Sequence, residues 1–380
     1  MLTAGLLLLM QGVAGAATIV VGTGAAAQVP TLAQAVRLAA SGDTIVVLSG
    51  EYRGDVAVVH QRRLTIRGLG TRPVLIADGK HAEGKAILVV RDGEVTIENI
   101  EFRGARVADG NGAGVRFERG KLRVVDCAFF DNEMGLLTAN FGDAELVIED
   151  SVFAHAPRVE GKLHHLLYVG RIASLQVRGS RFHDGHVGHL LKSRARRTLL
   201  AYNLLFDGEH GRASYEVDLP NGGDALLLGN VIGQGAHTEN PVVVAFGAEG
   251  HAWPQSRLRM AHNTLISDRV GPAWFLRVWP ERLPQDTAVQ AVNNLHVGLG
   301  AFTSAAGGEF KGNFPAEAPM LTSIGTLDFA LKAGSPLRGA GVDPRRVFGV
   351  DLSPKAEFVL PTGTRPLPEQ QSWTPGAFQR

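Results

Sequence analysis

The chain repeats a short unit along most of its length. The segments EVTIENIEF, LRVVDCAFF, LVIEDSVF, LQVRGSRF, LLAYNLLF, ALLLGNVI, LRMAHNTLI and VQAVNNLHV share one pattern. Each alternates apolar with other residues, passes a polar or small residue, and closes on an apolar one. The closing residues are Phe102, Phe130, Phe153, Phe182, Phe206, Ile232, Ile266 and Val297. Their spacing of roughly 23 to 34 residues is that of a solenoid with one coil per repeat. Alternation favours strands over helices. A coil this short cannot bury a face alone, so the coils must stack.

A second apolar run lies between these segments: AILVV, GVRFE, GLLTA, HLLYV, HLLKS, SYEVD, PVVVAFG, WFLRV. Two or three parallel strands per coil is the pattern of a right-handed parallel β-helix, an all-β fold. Asn99, Asn203, Asn230, Asn263 and Asn294 recur near one point of the unit. Stacked amides at a turn can satisfy neighbouring backbone, which makes them structural. Cys127, the only cysteine, lies in a strand-like run and reads as an inert buried thiol.

The ends differ from the middle. TLAQAVRLAASGD has apolar residues at helical spacing, predicting a capping helix over Thr31–Ala40 that covers the first coil. Residues 1–16, with the apolar run LLLLM and the small-residue end Ala14-Gly15-Ala16, read as an export signal. The expected order is signal peptide 1–16, β-helix 17–299 and a Gly- and Pro-rich tail 300–380 packing on it. A net charge of +1 gives no general pull toward nucleic acid, and no later run is long enough for a membrane span. The expected setting is secreted or periplasmic.

The helical cap, GDTIVVLSGEY and coils closing on Asn-x-x-Phe resemble the pectate lyase superfamily over nearly the whole mature chain. Within it, LLKSRARRTLLAYNLLFDG resembles the chondroitinase B-like and alginate lyases, in which a lysine of a Lys-Ser pair is the general base. That resemblance implies Lys192 as base, with Ser193 beside it and Asn203 in the following ladder. Two departures stand out. Where that family has an Arg-His-Gly motif, this chain reads SYEVDLPNGG, and its acidic calcium-binding pair is replaced by GHVGH. No cofactor is expected; calcium stays open, without a recognisable site to hold it.

Stacking the units HHLLYVG, GHLLKSR and SYEVDLP places His165 over His189 and Tyr168 over Lys192, with Glu216 or Asp218 next. A uronate lyase needs a group to neutralise the carboxylate, a base for the C5 proton and a donor to the leaving O4. Lys192 serves as the base if neighbouring cations lower its pKa. Arg194 suits the carboxylate through its planar fork. Tyr168 or His189 suits the leaving oxygen. His165, Arg196, Tyr215, Asn221, His237 and Glu239 are expected to bind substrate, an acidic polysaccharide or oligosaccharide.

Two alternatives remain open. Glu216 and Asp218, two apart on a strand, lie roughly 6.5 to 7 Å apart and fit the pair of an inverting glycoside hydrolase. A non-catalytic polysaccharide-binding or surface protein is the other. His186 and His189 have ligand-like spacing, but no carboxylate or cysteine completes a metal pattern. Trp253 and Trp274 suit sugar stacking or core packing alike.

Overall fold

A computed structural model describes residues 15–159, 161–304 and 307–380. Most of the export signal expected over 1–16 lies outside them. Three parallel sheets run the length of the molecule. Sheet 1 has ten strands, from Ala57–Val59 to Gly300–Thr303. Sheet 2 has twelve, from Thr18–Val21 to Glu309–Lys311, and sheet 3 has eleven, from Glu51–Arg53 to Phe314–Ala316. Each coil visits the sheets in that order, as in Leu191–Ser193, Arg197–Ala201 and Leu204–Phe206. The result is a right-handed parallel β-helix. Parallel pairing continues as far as Ala316. The residues that follow add two antiparallel pairs, Leu321–Ser323 with Asp328–Leu331 and Ala356–Phe358 with Thr364–Pro366.

The interior is built from columns of like residues. Phe102, Phe129, Phe153 and Phe182 stack with centroids 5.2, 4.4 and 4.8 Å apart. Offset aromatic stacking adds to the area each ring buries. Glycines on the facing sheet make room for them. A Cβ on Gly114 would meet Phe129 at 2.9 Å, and one on Gly135 would meet Phe153 at 2.8 Å. The column continues through Leu205, Ile232 and Leu265. Four of the closing residues expected from the repeat, Phe130, Phe206, Ile266 and Val297, therefore sit one position past the inward one.

Between sheets 2 and 3 the expected amide ladder forms. Asn203 donates to Asn230, Asn230 to Asn263, Asn263 to Asn294 and Asn294 to Asn313, each at 2.8–2.9 Å. Ser180 and Ser151 continue it backward with hydroxyls, and Cys127 occupies the next level. Burial pushes the Cys127 thiol up to about 12, so it stays protonated. Asn99 is not a rung. It stands one residue earlier, at φ 51°, where Asp126, Asp150, Tyr202, His262 and Asn293 are also left-handed. Left-handed backbone disfavours a residue with a Cβ, and here the side chains at this corner hold the C-terminal segment. Tyr202 Oη accepts from Lys355 N at 2.9 Å, and Asn293 donates to Val342 O at 2.8 Å.

At the other end a helix spans Leu32–Leu38, shorter than the sequence predicts. Thr31 caps it by accepting from Gln34 N, and Asp55 accepts from Leu32 N and Ala33 N. Leu32, Ala35 and Val36 are buried against the first strands. Among the described residues no helix is long and apolar enough to cross a membrane.

Candidate active site

The register of sheet 1 assembles the site. Tyr168 pairs with Lys192, Lys192 with Asp218, Asp218 with Ala245 and Ala245 with Arg277. In the strand Val217–Leu219 the flanking residues face the core, so Asp218 points outward like Lys192. Lys192 Nζ lies 2.9 Å from Asp218 Oδ2 and 2.7 Å from Glu249 Oε1. Glu249 comes from the turn after Val242–Phe246, and its other oxygen lies 2.6 Å from Arg194. One carboxylate thus bridges Lys192 and Arg194.

Arg194 is further positioned by Tyr168 Oη at 3.1 Å and by a short hydrogen bond to Asn221 Oδ1. Asn221 in turn donates to Gly250 O in the Glu249 turn. Lys192 and Arg194 both lie over the Tyr168 ring, at 5.9 and 5.7 Å from its centroid. Trp253 donates to Arg194 O, which gives it a role in holding the arginine backbone.

The electrostatics differ from the sequence expectation. Burial alone would lower Lys192, but Asp218 and Glu249 outweigh it and raise its pKa. Lys192 rests as an ammonium. Burial raises the Asp218 carboxyl despite the attraction of Lys192, and Asp218 Oδ1 is buried without a hydrogen-bond partner among the described residues. Burial would also raise Glu249, yet Lys192 and Arg194 hold it below the ordinary carboxylate range.

The histidines stack beside this row. His165 and His189 have centroids 4.8 Å apart, and His189 and Tyr215 4.9 Å. His189 N–H donates to His165 Nδ1 at 2.8 Å, and Tyr215 N–H donates to His189 Nδ1 at 3.2 Å. A ring nitrogen that accepts from an amide carries no proton, so both rings are neutral with hydrogen on Nε2. Burial, reinforced for His165 by Lys192, pushes its pKa down to about 3. Burial, with the cations of Lys192 and Arg194 adding to it, holds His189 well below its ordinary value. Protonated histidines are therefore not what tunes Lys192. His189 Nε2 faces Asp218 Oδ2 at 3.4 Å.

Glu216 corrects the hydrolase alternative. The coil bends before Val217, so Glu216 sits directly beneath Leu190, the residue before Leu191, and is fully buried. Neither carboxylate oxygen has a hydrogen-bond partner among the described residues, and burial raises its pKa well above the ordinary value. Glu216 is a core residue on the opposite side of the sheet from Asp218. The pair cannot flank one glycosidic bond.

Other candidates lie apart. The Arg196 side chain is exposed, and no hydrogen bond or ion pair among the described residues joins it to the cluster. His237 lines a cleft with Arg158, Glu209, His210 and Arg212. Glu239 is exposed, whereas its neighbour Asn240 donates to Ser214. Trp274 is partly exposed and pairs with Val242 in the register. Glu249 was not expected from the sequence.

No family model and no curated protein matches the chain. Among solved structures, pectate lyase Pel9A superposes with a TM-score of 0.70 over 97% of this chain and 98% of that one, at 14% identity. An alginate lyase from Paenibacillus sp. str. FPU-7 aligns over 79% of this chain and 99% of that one, at 16% identity and a TM-score of 0.46. The first likeness defines the class of fold: a pectate lyase-like parallel β-helix.

Proposed function

We propose that this chain is an exported polysaccharide lyase that cleaves a uronate-containing polymer by β-elimination, with Lys192 as the base. The observation that carries this reading is the carboxylate of Glu249 held jointly by Lys192 and Arg194. A site that already clamps a carboxylate beside a lysine is arranged for a uronate.

In the proposed cycle the substrate carboxylate displaces Glu249 and is neutralised by Arg194, with Asn221 keeping the guanidinium in place. Loss of Glu249 removes one of the two anions that sustain the ammonium. Lys192 then passes a proton to Asp218, whose carboxyl is raised by burial. The neutral amine takes the C5 proton, the electrons form the C4–C5 double bond, and the C4–O4 bond breaks. Tyr168, held by Arg194 Nε, protonates the departing O4. The proton gained by Lys192 restores the tyrosine, and that on Asp218 returns to the lysine. His189 Nε2–H steadies Asp218, and Tyr215 fixes the His189 tautomer.

The test is incubation of the mature chain with pectate, alginate and other uronate polymers, read for unsaturated ends and for new reducing ends. Unsaturated ends that vanish in Lys192→Ala support the proposal. Reducing ends alone would replace it with a hydrolase, and saturable binding without turnover with a binding protein.

A further inference from the structure

A second cluster of chemistry-bearing residues lies at the far end of the coil, where sheet 3 ends. Ala154 and His183 are register partners, so the residues that follow them, His155 and Asp184, occupy equivalent turn positions on adjacent coils. Both are left-handed, at φ 59° and 53°. The turn swings the Asp184 carboxylate back toward the residue before it. His183 Nδ1 lies 2.7 Å from Asp184 Oδ2, and His155 Nδ1 lies 3.3 Å from the same oxygen. One donor atom from each of the three residues falls within 4.8 Å of the others.

We propose that His155, His183 and Asp184 form a binding site for a first-row divalent metal of the zinc type. The donor set is the argument. Two imidazoles and one carboxylate suit Zn²⁺ and its neighbours, whereas Ca²⁺ and Mg²⁺ take oxygen donors. Ligand bonds of about 2.0–2.1 Å to a tetrahedral ion place donors about 3.3 Å apart. The His155–Asp184 separation already matches, and the His183–Asp184 contact opens by roughly half an ångström when the ion replaces the shared proton. The His183 and Asp184 side chains are largely covered, while His155 is 58% exposed, which leaves an entry from solvent. Phe130, at 5.6 Å from the His155 ring, packs beside it from the preceding coil. An ion here would clip one coil to the next. The site is separate from the Lys192 cluster and does not depend on the proposed reaction.

The test is calorimetric titration of the chelator-treated full chain with ZnCl2, beside CaCl2, with thermal melts at each zinc concentration. One zinc per chain is expected, with no saturable heat from calcium and a melting midpoint that climbs with zinc. His155→Gln and Asp184→Asn should weaken zinc by about tenfold or more, since even losing a group that only orients a ligand costs about that. His60→Ala, an exposed histidine elsewhere, should leave it unchanged. His155 is exposed, so its substitution leaves the fold intact, and the zinc-free melt verifies this. Absence of saturable zinc binding, or equal affinity in His155→Gln and the parent chain, overturns the proposal.

Discussion

Glu249 Oε1 lies 2.7 Å from Lys192 Nζ, closer than the Asp218 oxygen that the sheet register places beside the lysine. A turn residue is thus the nearest partner of the candidate base. The Glu249 side chain is 45% exposed and that of Lys192 is 8% exposed, so the acid is the partner free to leave.

Glu249→Gln removes an anion that holds the Lys192 pKa up. Activity that depends on neutral Lys192 should therefore begin at lower pH than in the parent chain. A pH profile of kcat/KM on the active polymer checks this. An unshifted basic requirement would mean that Glu249 does not govern the lysine.

Lys192→Ala should lower kcat by about 10²–10⁴-fold, the usual contribution of a positioned base. Lys192→Arg should fail to rescue it, because a guanidinium stays charged and cannot accept the C5 proton. Arg194→Ala should chiefly raise KM, with a loss that is larger at low salt. Steady-state kinetics at two ionic strengths separate these effects.

Glu216→Leu should retain activity and stabilise the fold by about 1–3 kcal/mol, since it removes a buried polar group without a partner. The pH dependence is also specified. The folded pKa is raised above the ordinary 4.5, so the native state keeps a proton that the unfolded chain releases. Stability is full below the unfolded value and falls as pH rises through the folded one. Urea midpoints across pH should show that fall in the parent chain and a smaller one in Glu216→Leu.

His165 works in the opposite direction. Its folded pKa of about 3 lies below the ordinary 6.5, so the unfolded chain binds a proton first on acidification. Stability from this group is present above 6.5 and is lost as pH falls toward 3. His165→Asn can keep an acceptor for His189 N–H without a titrating ring. Its urea midpoint should drop less between neutral and mildly acid pH than that of the parent chain.

The coil period, the amide ladder and the stacking of Tyr168 on Lys192 were legible because stacking preserves position and the side chains repeat with it. The next level stood open between Glu216 and Asp218. The placement of Glu216 was legible only by level. HLLK and YEVD align residue for residue, which sets Glu216 under Leu190 rather than on the face of Asp218. Strand alternation fails there because the bend before a three-residue strand turns two successive residues inward. Glu249 left no trace. It stands in the long turn between Phe246 and Arg257, and only the fold brings it to Lys192. The histidine tautomers were equally hidden, since backbone amides set them.

The rungs Asn203, Asn230, Asn263 and Asn294 each receive from the coil before and donate to the coil after in the same way. Any one of these coils can meet any other across that seam. A chain built so can gain or lose a whole turn by duplication or deletion in its gene, with both flanking turns still finding a matching edge. The hydroxyl and thiol rungs at Ser180, Ser151 and Cys127 pass only a backbone N–H to the next rung, without the side-chain donor that joins the amides. The first amide rung belongs to the coil that carries Lys192. Growth is thus open on the C-terminal side of the candidate base, where coils can be added without the base being rebuilt.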